Sequence, residues 1–261
     1  MTEPFRVVVV TKKSAWGAAI VRELARQQLP IEAIVLERGS VKARTELRRA
    51  RAHRRRSGTV ELLRLVRRKV VRRYRRSKSD AAWTRDDFYR RFGSAAYEVD
   101  DLNAPDSQRL LGELDPDLIV LGTSRILRSP VLSIPRVGVL NAHPGLLPAY
   151  RGVDVIAWAI HNGDPVGVTI HFVDPGVDTG DIVAQQTIDL RSGDTLSTLK
   201  KRAGQAAAEH MADTVRRLML GEPLTRTPQR AEDGKQYYRM PLSLREQVQA
   251  MIPTKGEAQR D

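Results

Sequence analysis

Residues Gly138–Asp181 read GVLNAHPGLLPAYRGVDVIAWAIHNGDPVGVTIHFVDPGVDTGD, two apolar runs joined by turns and a helical segment. An apolar run, Val137 to Leu140, delivers Asn141 and His143 to a sharp Pro144-Gly145 turn. A second apolar run with alternating pattern, Val166 to Val173, ends in a loop that presents Asp178. An amide, an imidazole and a carboxylate at the mouths of two neighbouring strands are the parts that acyl transfer to an amine requires. Asn141 and His143 can hydrogen-bond a developing oxyanion, and Asp178 can accept or relay the amine proton. The bland alternative is a turn histidine at a strand end and an aspartate in an Asx-turn, with glycine after it for positive φ.

Working outward, Asn141-Ala-His-Pro-Gly-Leu-Leu-Pro148, then Tyr150-Arg151-Gly152, His171-Phe172-Val173 and Val177-Asp178-Thr179-Gly180 follow in order. Together they resemble the folate-dependent formyltransferase family, whose members include glycinamide ribonucleotide, methionyl-tRNA and sugar N-formyltransferases. The resemblance covers roughly residues 115–220, with a looser match over 5–36. It implies 10-formyltetrahydrofolate as co-substrate and Asn141, His143 and Asp178 as the catalytic set. It also implies donor binding at Arg125, Ile126 and Leu127, largely through backbone groups, and at Asp174 and Gly176. For Ile126 and Leu127 the competing reading is ordinary core packing. His171 is taken as a support residue, a satisfied core histidine being the rival reading.

The chain is long enough, at 261 residues, for one large α/β domain and a small appendage. No run of about eighteen apolar residues suggests a membrane-spanning helix. The apolar start, Phe5 to Val10, is quickly followed by Lys12 and Lys13 and does not read as a secretory segment. With no cysteine, disulfides and thiolate metal sites are excluded. The five histidines have no metal-ligand spacing, so no metal is expected; a cytoplasmic location is.

The formal charge of +13 is uneven. Residues 42–91 hold 20 Lys and Arg against 5 Asp and Glu, a net of +15, which leaves 24 basic and 26 acidic residues, a net of −2, for the rest. A near-neutral body therefore carries one strongly basic insert. Within it Val60, Leu63, Val66, Val70 and Tyr74 recur at helical spacing between arginines. Such a helix suits docking on the body, a phosphorylated acceptor, or an anionic membrane surface, which would place the protein peripherally at the inner membrane. Few aromatics interleave the charges, so nucleic acid is the weakest partner expected.

In chain order, Phe5 to Val10 and Ile31 to Leu36 read as strands flanking a helix, Trp16 to Gln28, with Ser14 as N-cap. Strand–helix–strand with short links argues a parallel sheet. The link Thr11–Gly17 lacks the glycine cluster that wraps a phosphate, which counts against a glycinamide ribonucleotide acceptor. Asn103 is expected to cap a helix near Pro105 to Leu114, and residues 117–122 (DLIVLG) form a central strand. A helix over Val153–His161 and a returning strand over Ile182–Ile188 follow. Asp194 is expected to cap a helix from Thr195 to Leu220, ended by Gly221. The tail, 222–261, is expected to hold a short strand or hairpin at most. It is too short for the barrel of about a hundred residues found in methionyl-tRNA formyltransferases.

The sequence thus predicts a Rossmann-like, mostly parallel α/β sheet of the formyltransferase type. The catalytic domain spans 1–221, with the basic helical insert at 42–91, and 222–261 forms a C-terminal extension. The expected activity is formyl transfer to a primary amine of a small acceptor, a nucleotide-linked amino sugar in first place, by a chain that could pair as a homodimer. Rival readings are another formyltransferase acceptor such as methionyl-tRNA, hydrolysis of formyl-folate, and a non-catalytic protein that binds anionic surfaces. The hydrolases carry an additional N-terminal domain, whereas the first strand here begins at Phe5.

Overall fold

The structure, a computed structural model, describes residues 4–38 and 96–252. The expected basic helices of 42–91 lie outside the described residues. A seven-stranded sheet forms the centre, built from β1 (Val7–Lys12), β2 (Ala33–Glu37), β3 (Ala96–Val99), β4 (Leu118–Thr123), β5 (Gly138–His143), β7 (Gly167–Phe172) and β8 (Ile182–Thr187). Their order is β3-β2-β1-β4-β5-β7-β8. The pairs from β3 through β5 are parallel, whereas β5–β7 and β7–β8 are antiparallel. This is the expected α/β sheet, mostly parallel. Strand order reverses between β1 and β4, and crevices outside the carboxyl ends of strands at such a point are where open α/β sheets bind ligands.

Near-continuous apolar strands are what a sheet covered on both faces demands. Alternate residues accordingly enter two cores. Val7, Val9, Ile34, Leu118, Val120 and Leu140 face α1 (Ala15–Arg26) and α5 (Leu196–Met219). Val8, Val10, Val35, Ile119, Leu121 and Val139 face the side holding Leu111 of α2 (Pro105–Glu113) and Val131 of α3 (Ser129–Leu132). α4 (Val155–Asn162) completes the first core. Among the described residues no helix is long and apolar enough to cross a membrane.

Ser14 caps α1 as expected, accepting from the Gly17 amide at 3.0 Å. Four expectations are corrected. Asn103 does not cap α2; the N-cap is Ala104 and Pro105 supplies the first helical residue. α5 is capped by Thr195, not Asp194, in a reciprocal box with Thr198, while Asp194 supports it by accepting from the Thr198 hydroxyl at 2.9 Å. The tail holds more than a hairpin. β9 (Lys235–Tyr237) pairs in parallel with β6 (Tyr150–Gly152), and α6 (Leu242–Met251) buries Val248 beside Met240 and Ile252 in the first core. α4 also starts two residues later than expected, because Asp154 sits at φ 59°, in the left-handed region that no helix contains.

At the sheet's switch point α1 comes so close to β4 that a Cβ on Gly122 would lie 2.6 Å from both the Gly17 Cα and the Thr11 Oγ1. The obstruction is backbone and a fully buried side chain, so neither yields cheaply. Gly122→Ala is therefore expected to lose about 1–3 kcal/mol of stability in urea melts. Gly112→Ala, in the same protein, meets nothing within 4 Å on an exposed turn of α2 and is expected to gain about 0.5–1 kcal/mol.

Candidate active site

The site grows from one register. β5 and β7 run antiparallel with Asn141 opposite His171 and His143 opposite Thr169. Because side chains alternate along strands, all four lie on one face of the sheet. His143 and His171 are both almost fully buried, at 2% and 1% exposure, and their rings meet edge to face with centroids 6.1 Å apart.

Asp178 hangs from the loop between β7 and β8 and divides its two oxygens between these rings. Its Oδ2 lies 3.4 Å from His143 Nδ1, and its Oδ1 lies 3.6 Å from His171 Nε2. The Gly152 amide donates to Oδ2 at 2.8 Å. The backbone of Asp178 has φ 55°, left-handed and costly for a residue other than glycine, although Asp tolerates it better than most.

The two imidazoles are chemically unlike. His143 Nε2 is 2.7 Å from the Tyr150 carbonyl, an acceptor, so that nitrogen carries a proton. With Nδ1 turned to a carboxylate 3.4 Å away, both His143 nitrogens face acceptors. His171 donates from Nδ1 to the Phe172 carbonyl at 2.7 Å. Burial first, and then the neighbouring His143, push its pKa down to about 4, against a smaller upward pull from Asp178. Neutral His171 therefore presents a lone pair at Nε2, and Asn141 Nδ2, 3.1 Å away, donates to it. That bond orients the amide and leaves the second Nδ2 hydrogen for a ligand.

The structure thus brings together Asn141, His143 and Asp178, and adds His171, which accepts from Asn141 and lies 3.6 Å from Asp178. The other expected site residues fall into two loops. Asp174 Oδ1 accepts from the Gly176 amide at 3.0 Å and the Thr179 hydroxyl at 2.6 Å, so Asp174 and Gly176 shape the loop that carries Asp178. The Arg125 side chain turns to Glu37, which is fully buried, and to Asp101 at 2.5 Å. Whatever Arg125 presents to a ligand on the other side comes from its backbone. Leu127 is buried, but Ile126 is 65% exposed and is no core residue. Asn103, misread as a cap, clamps this loop instead. Its Nδ2 donates to the Ile126 carbonyl at 3.0 Å, and its Oδ1 accepts from the Arg128 amide at 2.8 Å. An asparagine just before a helix reads as a cap, so no local signal marks that bridge. Among the described residues no group of three or more His, Asp or Glu is arranged to hold a metal ion.

The chain matches the formyl transferase family over residues 5–215. A methionyl-tRNA formyltransferase of Chlorobium chlorochromatii is 39% identical over 123 residues, covering 47% of this chain and 39% of that protein. The chain spans half or less of the length of the curated methionyl-tRNA formyltransferases it matches first. Glycinamide ribonucleotide transformylase 1 from Symbiobacterium toebii shares the fold, with a TM-score of 0.59 at 21% identity, covering 87% of this chain and 95% of that one. The formyltransferase PseJ from Anoxybacillus kamchatkensis, solved with UDP-4,6-dideoxy-4-formamido-L-AltNAc and tetrahydrofolate, is 26% identical with a TM-score of 0.51. The match covers 67% of this chain and 94% of that one.

Since His171 binds its proton near pH 4 when folded and at an ordinary 6.5 when unfolded, the unfolded chain takes up more protons between those values. The stability this group confers is complete above about pH 6.5 and is lost as pH falls toward about 4. Urea unfolding across this window is expected to show stability declining with acid, and His171→Gln is expected to flatten that part of the slope.

Proposed function

Because the chain belongs to the formyl transferase family, we propose that it moves the formyl group of 10-formyltetrahydrofolate to a primary amine at Asn141, His143 and Asp178. The observation that carries this reading is the Asp178 carboxylate set between His143, whose two nitrogens both face acceptors, and the His171 that orients Asn141. The amine nitrogen adds to the formyl carbon and the carbonyl oxygen gains negative charge. The free Nδ2 hydrogen of Asn141 and the His143 imidazolium, shifting from one of its internal acceptors, stabilise that oxygen. Asp178, the carboxylate that faces His143 before the attack, takes the proton that the nitrogen sheds, directly or through water. The carbon–nitrogen bond to the folate then breaks and the folate nitrogen recovers a proton. The product is a formamide and tetrahydrofolate. The backbone of Arg125 to Leu127 and the loop at Asp174 and Gly176 are the surfaces we assign to the donor.

For the acceptor we retain a nucleotide-linked amino sugar, in keeping with the sugar nucleotide and tetrahydrofolate bound to the Anoxybacillus neighbour. The second reading is methionyl-tRNA. It is favoured by identities of 34–39% to enzymes of that name and by the net +15 of residues 42–91. Incubation with 10-formyltetrahydrofolate and a panel of amines, including a 4-amino sugar nucleotide and charged initiator tRNA, is expected to release tetrahydrofolate with one acceptor far above the solvent background. Release at the same rate with water alone would establish a hydrolase. No release with any acceptor would overturn the proposal.

A further inference from the structure

Asp178 sits in a segment, residues 173–181, that lies outside the sheet and holds a left-handed backbone at its functional residue. Something must fix that conformation, and the side-chain hydrogen bonds within the loop join only Asp174, Gly176 and Thr179 among the described residues. We propose that Gln229, from the C-terminal extension, is the positioning residue that holds Asp178 against the two imidazoles, so that the functional unit runs through residue 252 instead of ending at 221. This rests on the formyl-transfer reading of Asp178 given above.

The geometry is a closed circuit. The Gln229 Nε2 donates to the Asp178 carbonyl at 3.2 Å and to the Gly180 carbonyl at 2.6 Å. Both hydrogens of one amide thus hold two peptide planes of the loop, 178–179 and 180–181, one residue apart. The Gln229 Oε1 accepts from Arg151 Nε at 3.3 Å and Nη2 at 3.2 Å, and Arg151 Nη2 also donates to the Arg230 carbonyl at 2.7 Å. Arg151 is buried. The next residue, Gly152, donates its amide to the Asp178 carboxylate. One turn of this circuit therefore grips Asp178 by its carbonyl and by its side chain.

The amide of Gln229 cannot reverse. On one side it meets two carbonyls, which require donors, and on the other a guanidinium, which requires an acceptor. A flip would oppose like groups at every contact. The extension is also stitched to the ends of the loop: Ile182 and Thr227 exchange two backbone hydrogen bonds at 2.9 Å, and the Arg226 guanidinium lies 3.8 Å over the Phe172 ring. Pairing of β9 with β6 sets the register of Arg151 and Gly152. Gln229 touches none of the atoms assigned to the reaction, so its effect is exerted through Asp178.

Two variants of the full chain test this. Gln229→Glu keeps an acceptor for Arg151 but turns oxygen toward the two carbonyls; Gln229→Met keeps the length and removes every polar contact. Both are expected to lower kcat about tenfold or more with KM for the formyl donor within about twofold, as a misplaced reacting group does. Hydrogen exchange of the amides of 176–181 should accelerate by about tenfold, with the amides of β4 and β5 unchanged. The exchange measurement needs no turnover. If the parent protein formylates nothing, the proposed function fails while faster loop exchange still upholds the anchor. Loop exchange matching the parent in either folded variant, or kcat within twofold of an active parent, overturns the role of Gln229.

Discussion

The seat of one carboxylate against two buried imidazoles, facing both nitrogen-bearing edges, is the constraint on which the site depends. Asp178 lies against both His143 and His171 from a left-handed backbone, a conformation that costs on the order of 1–3 kcal/mol for most residues. The surroundings hold it there: the Gly152 amide binds its Oδ2, Asp174 shapes the preceding turn, and Gln229 takes its carbonyl. The result is a division of labour between chemically identical side chains. His143 faces acceptors with both nitrogens, whereas His171, driven neutral by burial, offers a lone pair to Asn141. Identical residues acquire opposite roles from the groups around them.

That division depends in turn on the antiparallel turn taken by the sheet after β5. Four parallel pairings put the mouths of β1, β4 and β5 on one edge, and reversing direction at β7 brings His171 back beside Asn141. A parallel neighbour would have placed a different register against the pair. The chain then spends its long helix α5 and the extension to cover this half of the sheet, and the extension reaches the site as well as the core.

Much of this was legible. Apolar strands without alternation announced a sheet buried on both faces, and Val7–Val10 and Leu118–Leu121 behave so. Asn141 and His143, two apart on one strand, had to share a face. Ser14 read correctly as a cap because its reach is local. What stayed hidden was set by contacts distant in sequence. His171 reads in sequence as a support residue, but its place opposite Asn141 comes from the β5–β7 register, which no local signal encodes. Asn103 had the pattern of a cap but found better partners 23 and 25 residues away. α6 carries a weak apolar stripe, and its stability comes from Val248 entering a core formed by other elements. Arg125 lies in a loop expected to serve a ligand, yet its side chain is committed to the buried Glu37.

The proposed chemistry turns on the negative charge of Asp178, and Asp178→Asn isolates it. Asparagine keeps the shape, tolerates the left-handed backbone and retains an oxygen for the Gly152 amide, so the fold should survive with its melting temperature nearly unchanged. Steady-state kinetics of this variant with the acceptor that the parent formylates is the decisive measurement. Loss of the proton acceptor and of the charge facing His143 predicts a kcat lower by about 100- to 10,000-fold with donor binding retained. A folded Asp178→Asn protein that turns over within a few-fold of the parent would contradict the account.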